Sequence, residues 1–224
     1  MMHAVRALLG IAVSFCLCAL AACQATVTGD GARSSPAQLE FRKVLTTEPG
    51  QPAPSSGRAP SSSPALSHSA TPLPAADQPA ARQHPALADP AVARPVLDAL
   101  DCSAPDPLRG HVDPAQLLVA CDPAGPTKYV LDRAILTGAD VARASAEPGP
   151  SGGWQVAVTF TDAGAGTWAD FTAANVDNQV AIVLDASVVS APTIQEAILA
   201  GTTIISSQFT KEQAEQLATQ LNRR

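Results

Sequence analysis

The sequence predicts an α+β fold: a small antiparallel sheet packed by two or three helices, preceded by a long, disordered Pro/Ala/Ser-rich linker. Three observations lead there. The stretch from Gln179 to Thr210 is dense in β-branched residues and broken by turn signals. From Thr210 the chain passes directly into an amphipathic helical pattern. Upstream, twelve of the twenty prolines fall between Pro36 and Pro95, mixed with Ser, Ala and Gln. Such a composition buries too little apolar surface to offset the ordering of its backbone. About 100 residues remain to fold, which is one small domain with a marginal core. Six of the eight aromatic residues lie between Tyr129 and Phe209, which locates that core.

The chain is expected to divide into a leader at 1–22, a linker at 23–96 with a possible strand at 38–45, and a folded domain at 97–224. The leader has a weakly basic front, His3 and Arg6, and an apolar run from Ala7 to Ala19. That run is too short to span a bilayer comfortably and ends in small residues, the pattern of a secretory signal. Leu20-Ala21-Ala22-Cys23 resembles the bacterial lipoprotein lipobox. The resemblance implies lipidation of Cys23, cleavage in front of it, and tethering to the outer face of the cell membrane by acyl chains alone. Each buried methylene adds roughly 0.8 kcal/mol, so two or more chains hold durably. The alternative is an ordinary signal peptide with an incidental cysteine.

Cys16 and Cys18 would leave with the leader, and Cys23 would be acylated. Cys102 and Cys121 then remain as an even pair in an oxidising compartment, expected to form a disulfide. Such a bridge adds about 3 kcal/mol in the chain-entropy model. The alternatives are two free thiols, or a zinc site with His111 and Asp113, whose spacing fits no standard zinc motif. No cofactor and no metal is expected.

Within the linker one island stands out, Gln38 to Leu45, with Leu39, Phe41, Lys43 and Leu45 on one face of an imperfect strand. It either adds an edge strand to the domain or stays undocked. Lys128 to Leu131 reads as a short strand. Ile135 to Val141 reads as a turn leading into a short helix through Ala144, with Asp140 capping it. Trp154 to Thr161 alternates cleanly, with Trp154, Val156, Val158 and Phe160 on one side. From Asp162 the period becomes helical: Trp168, Phe171 and Val176 point inward, Asp170 points outward, and Thr161 or Asp162 is the N-cap. Gly164 and Gly166 weaken the first turns by up to about 1 kcal/mol each.

Val180 to Leu184 and Val188-Val189, split by Asp185-Ala186-Ser187, read as a β-hairpin. Pro192 cannot donate to a ladder and bends the second strand or sets it at an edge. Gly201 makes a further turn, and Thr202 to Ile205 is expected to join the hairpin as a third strand. Thr210 and Gln213 form a capping-box signature for the last helix. Its buried stripe is Ala214, Leu217, Ala218 and Leu221, and Arg223 and Arg224 complement its C-terminal end.

The run from Val180 through Ile198, then Gly201 to Thr210, then Glu212 to Leu221 resembles the head subdomain of the SecD family of auxiliary protein-translocase subunits. The Leu39–Leu45 island, the block around Cys102 and Cys121, and the segment from Ile135 to Ala144 resemble the same family. Two glycines common in that pattern stand here as Ala186 and Ser207, so the resemblance leaves those turn shapes open. It implies a non-catalytic binding module whose partner is an exported or unfolded polypeptide, or subunits of the Sec translocase. The candidate surface is Val189, Ala191 and Ile194, near the irregularity at Pro192. Core packing is the alternative role for all three.

Residue chemistry favours binding over catalysis. No histidine follows His111, so the folded part lacks the usual general base at neutral pH. Ser190, Ser206 and Ser207 have neither a His partner nor nucleophile-elbow glycines. The remaining alternative in that class is a cell-wall hydrolase on an unfamiliar scaffold. A net charge of −6, with no basic stripe, argues against nucleic acid.

Overall fold

The computed structural model describes residues 38–49, 74, 76–122, 125, 127–150 and 152–222. The expected signal peptide, the lipidation site Cys23 and Arg223-Arg224 lie outside the described residues. The fold is α+β, built from two sheets rather than one. The first is a closed five-stranded barrel, in spatial order β1 (Leu39–Pro49), β3 (Thr127–Thr137), β2 (Leu118–Cys121), β7 (Ser187–Ser190) and β6 (Val180–Leu184). The second has three strands: β4 (Val141–Pro148), β5 (Trp154–Phe160) and β8 (Thr202–Phe209), with β5 in the middle.

β1 is a central strand. It pairs antiparallel with β3 on one side and with β6 on the other, so the edge-strand and undocked readings both give way. Its imperfect alternation follows from burial on both faces over Leu39 to Arg42. Phe41 is fully buried against Phe160 and Trp168, with ring centroids 5.3 and 5.2 Å away. The opposite face carries Glu40 and Arg42. The Arg42 guanidinium donates from Nε to Glu40 at 2.7 Å, and from its other nitrogens to the carbonyls of Gln116, Asp132 and Asp113 at 2.7, 2.9 and 3.0 Å. A buried cation needs that degree of compensation.

The expected linker also ends earlier than residue 96. α1 (Gln78–Arg82) and α2 (Pro90–Ala99) flank a 3-10 turn at Pro85–Ala88. Pro79, Pro85 and Pro90 occupy first-turn positions, where a missing N–H costs nothing and φ is already helical. The Asp89 carboxylate caps α2 by accepting from the Ala91 N–H at 2.8 Å. Leu87, Ala93 and Leu97 pack with Val119 and Val130 of the barrel. Arg82 is 1% exposed, bonds the Val119 carbonyl at 2.9 Å and forks onto Asp106 at 2.8 Å twice. The Lys128 ammonium donates to the Leu97 carbonyl at 2.6 Å, and burial holds its pKa below the ordinary lysine value.

The Cys102–Cys121 disulfide is formed. It joins the segment after α2 to the last residue of β2. Cys121 also makes the single parallel bridge, to Ser187, that closes the barrel. β6 and β7 are joined by a two-residue turn in which Asp185 (φ 50°) and Ala186 (φ 69°) both take the left-handed conformation. Ala186 holds this without a glycine, its methyl wholly buried beside Val183 and Val188.

Two expectations about the second sheet are corrected as well. The helix through Ala144 is instead a 3-10 turn at Gly138–Asp140 followed by β4. Asp140 keeps a capping role there, accepting from the Thr137 N–H at 2.8 Å. The last strand, β8, does not extend the β6–β7 hairpin; it pairs with β5 in the other sheet. The hairpin instead continues irregularly: Val180 donates to the Pro192 carbonyl, Ile194 to Asn178 and Asp177 to Ile194, at 3.0, 2.9 and 2.8 Å. The segment 191–201 then crosses to the second sheet.

α3 (Asp162–Ala174) starts at Thr161, whose hydroxyl caps Gly164 at 3.2 Å. Gly164 permits this approach, because a Cβ there would meet the Asp140 carbonyl at 2.9 Å. Val176 lies beyond the helix and is exposed. α4 (Lys211–Leu221) has the expected capping box, and Ala214, Leu217, Ala218 and Leu221 are buried. The largest core cluster lies between the two sheets and includes Leu39, Phe41, Trp168 and this stripe of α4.

Two stability predictions follow. Phe41→Ala is expected to cost about 3–5 kcal/mol in urea unfolding, because the aromatic site is fixed from three elements. A loss under ~1 kcal/mol would contradict that role. Replacing Cys102 and Cys121 together by serine is expected to lower stability by about 3 kcal/mol with the fold retained, read by the same titration.

Candidate functional site

Open sheets present two edges, and unpaired edge groups are templates for another chain. In the second sheet the two edges are treated differently. On β4 the outward N–H and C=O of Ala144 are both taken by the side chain of Asn222, at the C-terminal end of α4. The Ala144 N–H donates to Oδ1 at 2.9 Å, and Nδ2 donates to the Ala144 carbonyl at 2.8 Å. The amide makes the pair of bonds that an added strand would make.

This contact also fixes which groups on β8 face outward. In an antiparallel ladder, bonded and non-bonded pairs alternate. Ala144 opposes Val158, so Val158 turns its backbone groups away from β4 and towards Thr203 on β8. The Phe160 N–H donates to the Gly201 carbonyl at 2.9 Å, in the same phase. Thr203 and Ile205 therefore bond to β5, while Thr202, Ile204 and Ser206 direct N–H and C=O away from the sheet. No strand pairs with that side of β8 among the described residues.

The strand itself, TTIISSQF, carries no charge and no proline, the usual devices that blunt an edge. Only a register irregularity between Gln155 and Trp154, opposite Ser207 and Gln208, interrupts it near the end. Ile205 is buried, whereas Ile204 is 39% exposed on the solvent face beside Ala157. Thr159 and Thr202 approach at 3.4 Å on that face.

The candidate surface Val189, Ala191 and Ile194 is not brought together. Ile194 is a buried member of the main core, and Val189 packs half-buried against it. Ala191 packs against the separate cluster that holds Val183 and Val188. Sequence reasoning singled out neither the outward-facing edge positions Thr202, Ile204 and Ser206 nor Asn222. An uncharged run of strand length was the available signal; the partner of that strand was not.

Residues 116–223 match the family described as "SecDF, P1 head subdomain". That segment is similar to the head subdomain of SecD. The protein translocase subunit SecD of Mycobacterium tuberculosis is 41% identical over 124 residues, which is 54% of this chain and 22% of that protein. SecD of Streptomyces coelicolor is 35% identical over 136 residues, 56% of this chain and 24% of that protein. A crystal structure of SecDF in its super-membrane-facing form is 26% identical, covering 84% of this chain and 19% of that one, with a TM-score of 0.45. The chain thus spans about a fifth of the length of the curated relatives it matches. The SecD-head-like match takes in both edges of the three-stranded sheet and Asn222, while β1, α1 and α2 precede it. Among the described residues no three His, Cys, Asp or Glu side chains group as a metal site, and no helix is long and apolar enough to cross a membrane.

If Asn222 guards β4, Asn222→Ala should leave the fold intact and speed hydrogen exchange of the Ala144 amide by about tenfold, the scale of one lost hydrogen bond. An unchanged rate would contradict the guard role.

Proposed function

We propose that this chain is a lipid-anchored, non-catalytic binding module acting at the extracytoplasmic face of the membrane in connection with protein translocation, where it takes up extended segments of exported or non-native polypeptide. The observation that carries the reading is the pair of unlike edges: one closed by an amide, the other left open, uncharged and free of proline. Recognition runs by strand addition at β8, through the outward backbone groups of Thr202, Ile204 and Ser206. Backbone pairing is indifferent to most side chains, which suits a binder of many sequences. The SecD-head-like match supports the link to translocation, and the lipobox at Cys23 supports the anchor. The scarcity of acid–base partners supports a role without catalysis.

The test is titration of the full chain with a permanently unfolded polypeptide, such as a reduced and alkylated protein. Saturable binding is expected, with slowed amide exchange at Thr202, Ile204 and Ser206. Ile204→Pro deletes an outward N–H without removing a bond to β5, so it should weaken binding at least about tenfold while the circular dichroism is retained. Flat titrations against several unfolded polypeptides would remove the proposal.

A further inference from the structure

We propose that the Cys102–Cys121 bond is a redox latch on the barrel seam: a dithiol reductant opens it, Cys121 leaves beside Lys128, and the freed end of β2 releases β7. The latch does not rest on the strand-addition reading at β8. Its position is the first argument. β2 and β7 meet at a single parallel pair, Cys121 opposite Ser187, and that pair closes the barrel. The residue that makes the pair is the one that carries the disulfide. The bond is not what holds the helices at 78–99 on the barrel. Arg82 already ties them to the Val119 carbonyl and to Asp106, and the Lys128 ammonium ties the Leu97 carbonyl. What the bond adds is a fixed place for Cys121, the last residue of β2, at the seam.

The surroundings polarise the bond for exchange. Cys102 is half-buried in a turn whose neighbours Asp101, Ser103 and Ala104 are exposed, whereas Cys121 is 8% exposed. An incoming thiolate therefore attacks at Cys102, and Cys121 is the leaving group. Lys128 stands directly opposite Cys121 in the β2–β3 ladder and shares its face. The Cβ atoms of such pairs are about 4.5–5.5 Å apart. The Lys128 ammonium ends at Leu97, in the apolar cluster on which both cysteines pack. A cation beside a thiol favours its thiolate and speeds its departure. Asp101 acts in the opposite sense at Cys102. Asp101 and Asp98 both face the Lys128 charge, and Asp122 accepts from the Gly125 N–H at 3.3 Å.

The exchange balances in two steps. The first thiolate of the reductant attacks the Cys102 sulfur, a mixed disulfide forms, and the Cys102–Cys121 bond breaks with its electron pair on Cys121. The second thiolate then attacks the reductant's own sulfur in the mixed disulfide and releases Cys102. Two electrons pass from the dithiol to the protein, and the two thiol protons reach the cysteines by way of solvent. With β2 released, β7 has no strand on its outer side among the described residues. Its sequence, SVVS, carries no charge and no proline to blunt that edge.

The experiment treats the full chain with dithiothreitol in the absence of denaturant. Alkylation and mass report the thiols, and amide exchange is read by fragment. The bond should be reduced with the circular dichroism retained. Exchange across 187–190 should then quicken at least about tenfold, the scale of one lost hydrogen bond, with β5 unchanged. Cys102→Ser/Cys121→Ser should show the same local change without reductant. Lys128→Gln should slow reduction about threefold, as for a leaving thiol about tenfold less acidic, and Lys128→Arg should restore the rate. Mere loosening through loss of the Leu97 bond would speed reduction instead and would overturn the role of Lys128. A bond that yields only in urea, unchanged exchange at 187–190, or an acceleration shared equally by β5 would each overturn the latch.

Discussion

The structure depends on the aromatic junction that β1 makes with the second sheet. Phe41 stands edge-on to both Phe160 and Trp168, and Trp168 in turn stacks on Phe171 at 5.9 Å. Those contacts join a barrel strand, the middle strand of the open sheet and α3 in one cluster. On the reverse face of the same strand, Arg42 binds the carbonyls of Asp113 and Gln116 in the loop before β2 and that of Asp132 within β3, and so holds residues 113–116 against the barrel. One short segment therefore supplies the apolar link between sheets and the polar link within the barrel. The geometry of the β8 edge follows: β5 is held by Phe160, and β8 is positioned by β5.

A sheet that leaves one edge unguarded carries a risk of unwanted association. Here the risk is limited in two ways. Asn222 closes the opposite edge, and the irregular pairing near Ser207 and Gln208 shortens the usable part of β8. What is left among the described residues is a short run of unpaired backbone, from Thr202 to Ser206. The closed barrel offers no edge of its own.

Local structure was largely legible in the sequence. The Thr210–Gln213 capping box, the alternation of β5, the Thr161 cap and the buried stripe of α4 each rest on neighbours a few residues apart, and periodicity reports such relations directly. Pairing between distant segments was not legible. β8 reads as a strand from its β-branched residues, but nothing in them distinguishes β5 from β7 as its partner. The prolines misled for a different reason: composition counts them as breakers, whereas Pro79, Pro85 and Pro90 serve as helix starters once Asp89 and its neighbours provide caps. Ala186 shows the same limit at a turn, since a buried methyl offsets a conformation that glycine would adopt more readily. The open edge itself was invisible, because it is defined by what does not pair.

The double pairing of β1 has a mechanical consequence. Ladder hydrogen bonds lie perpendicular to the strands they join, and β1 enters the fold at its first described residues, with Gln38 and Asp185 exchanging two bonds at the point of entry. A pull on the chain ahead of Gln38 runs lengthwise along β1 and loads the ladders to β3 and β6 together, in shear. Peeling one bond at a time is not available in that direction, so a tug from the N-terminal side meets the stiffest response the barrel can give.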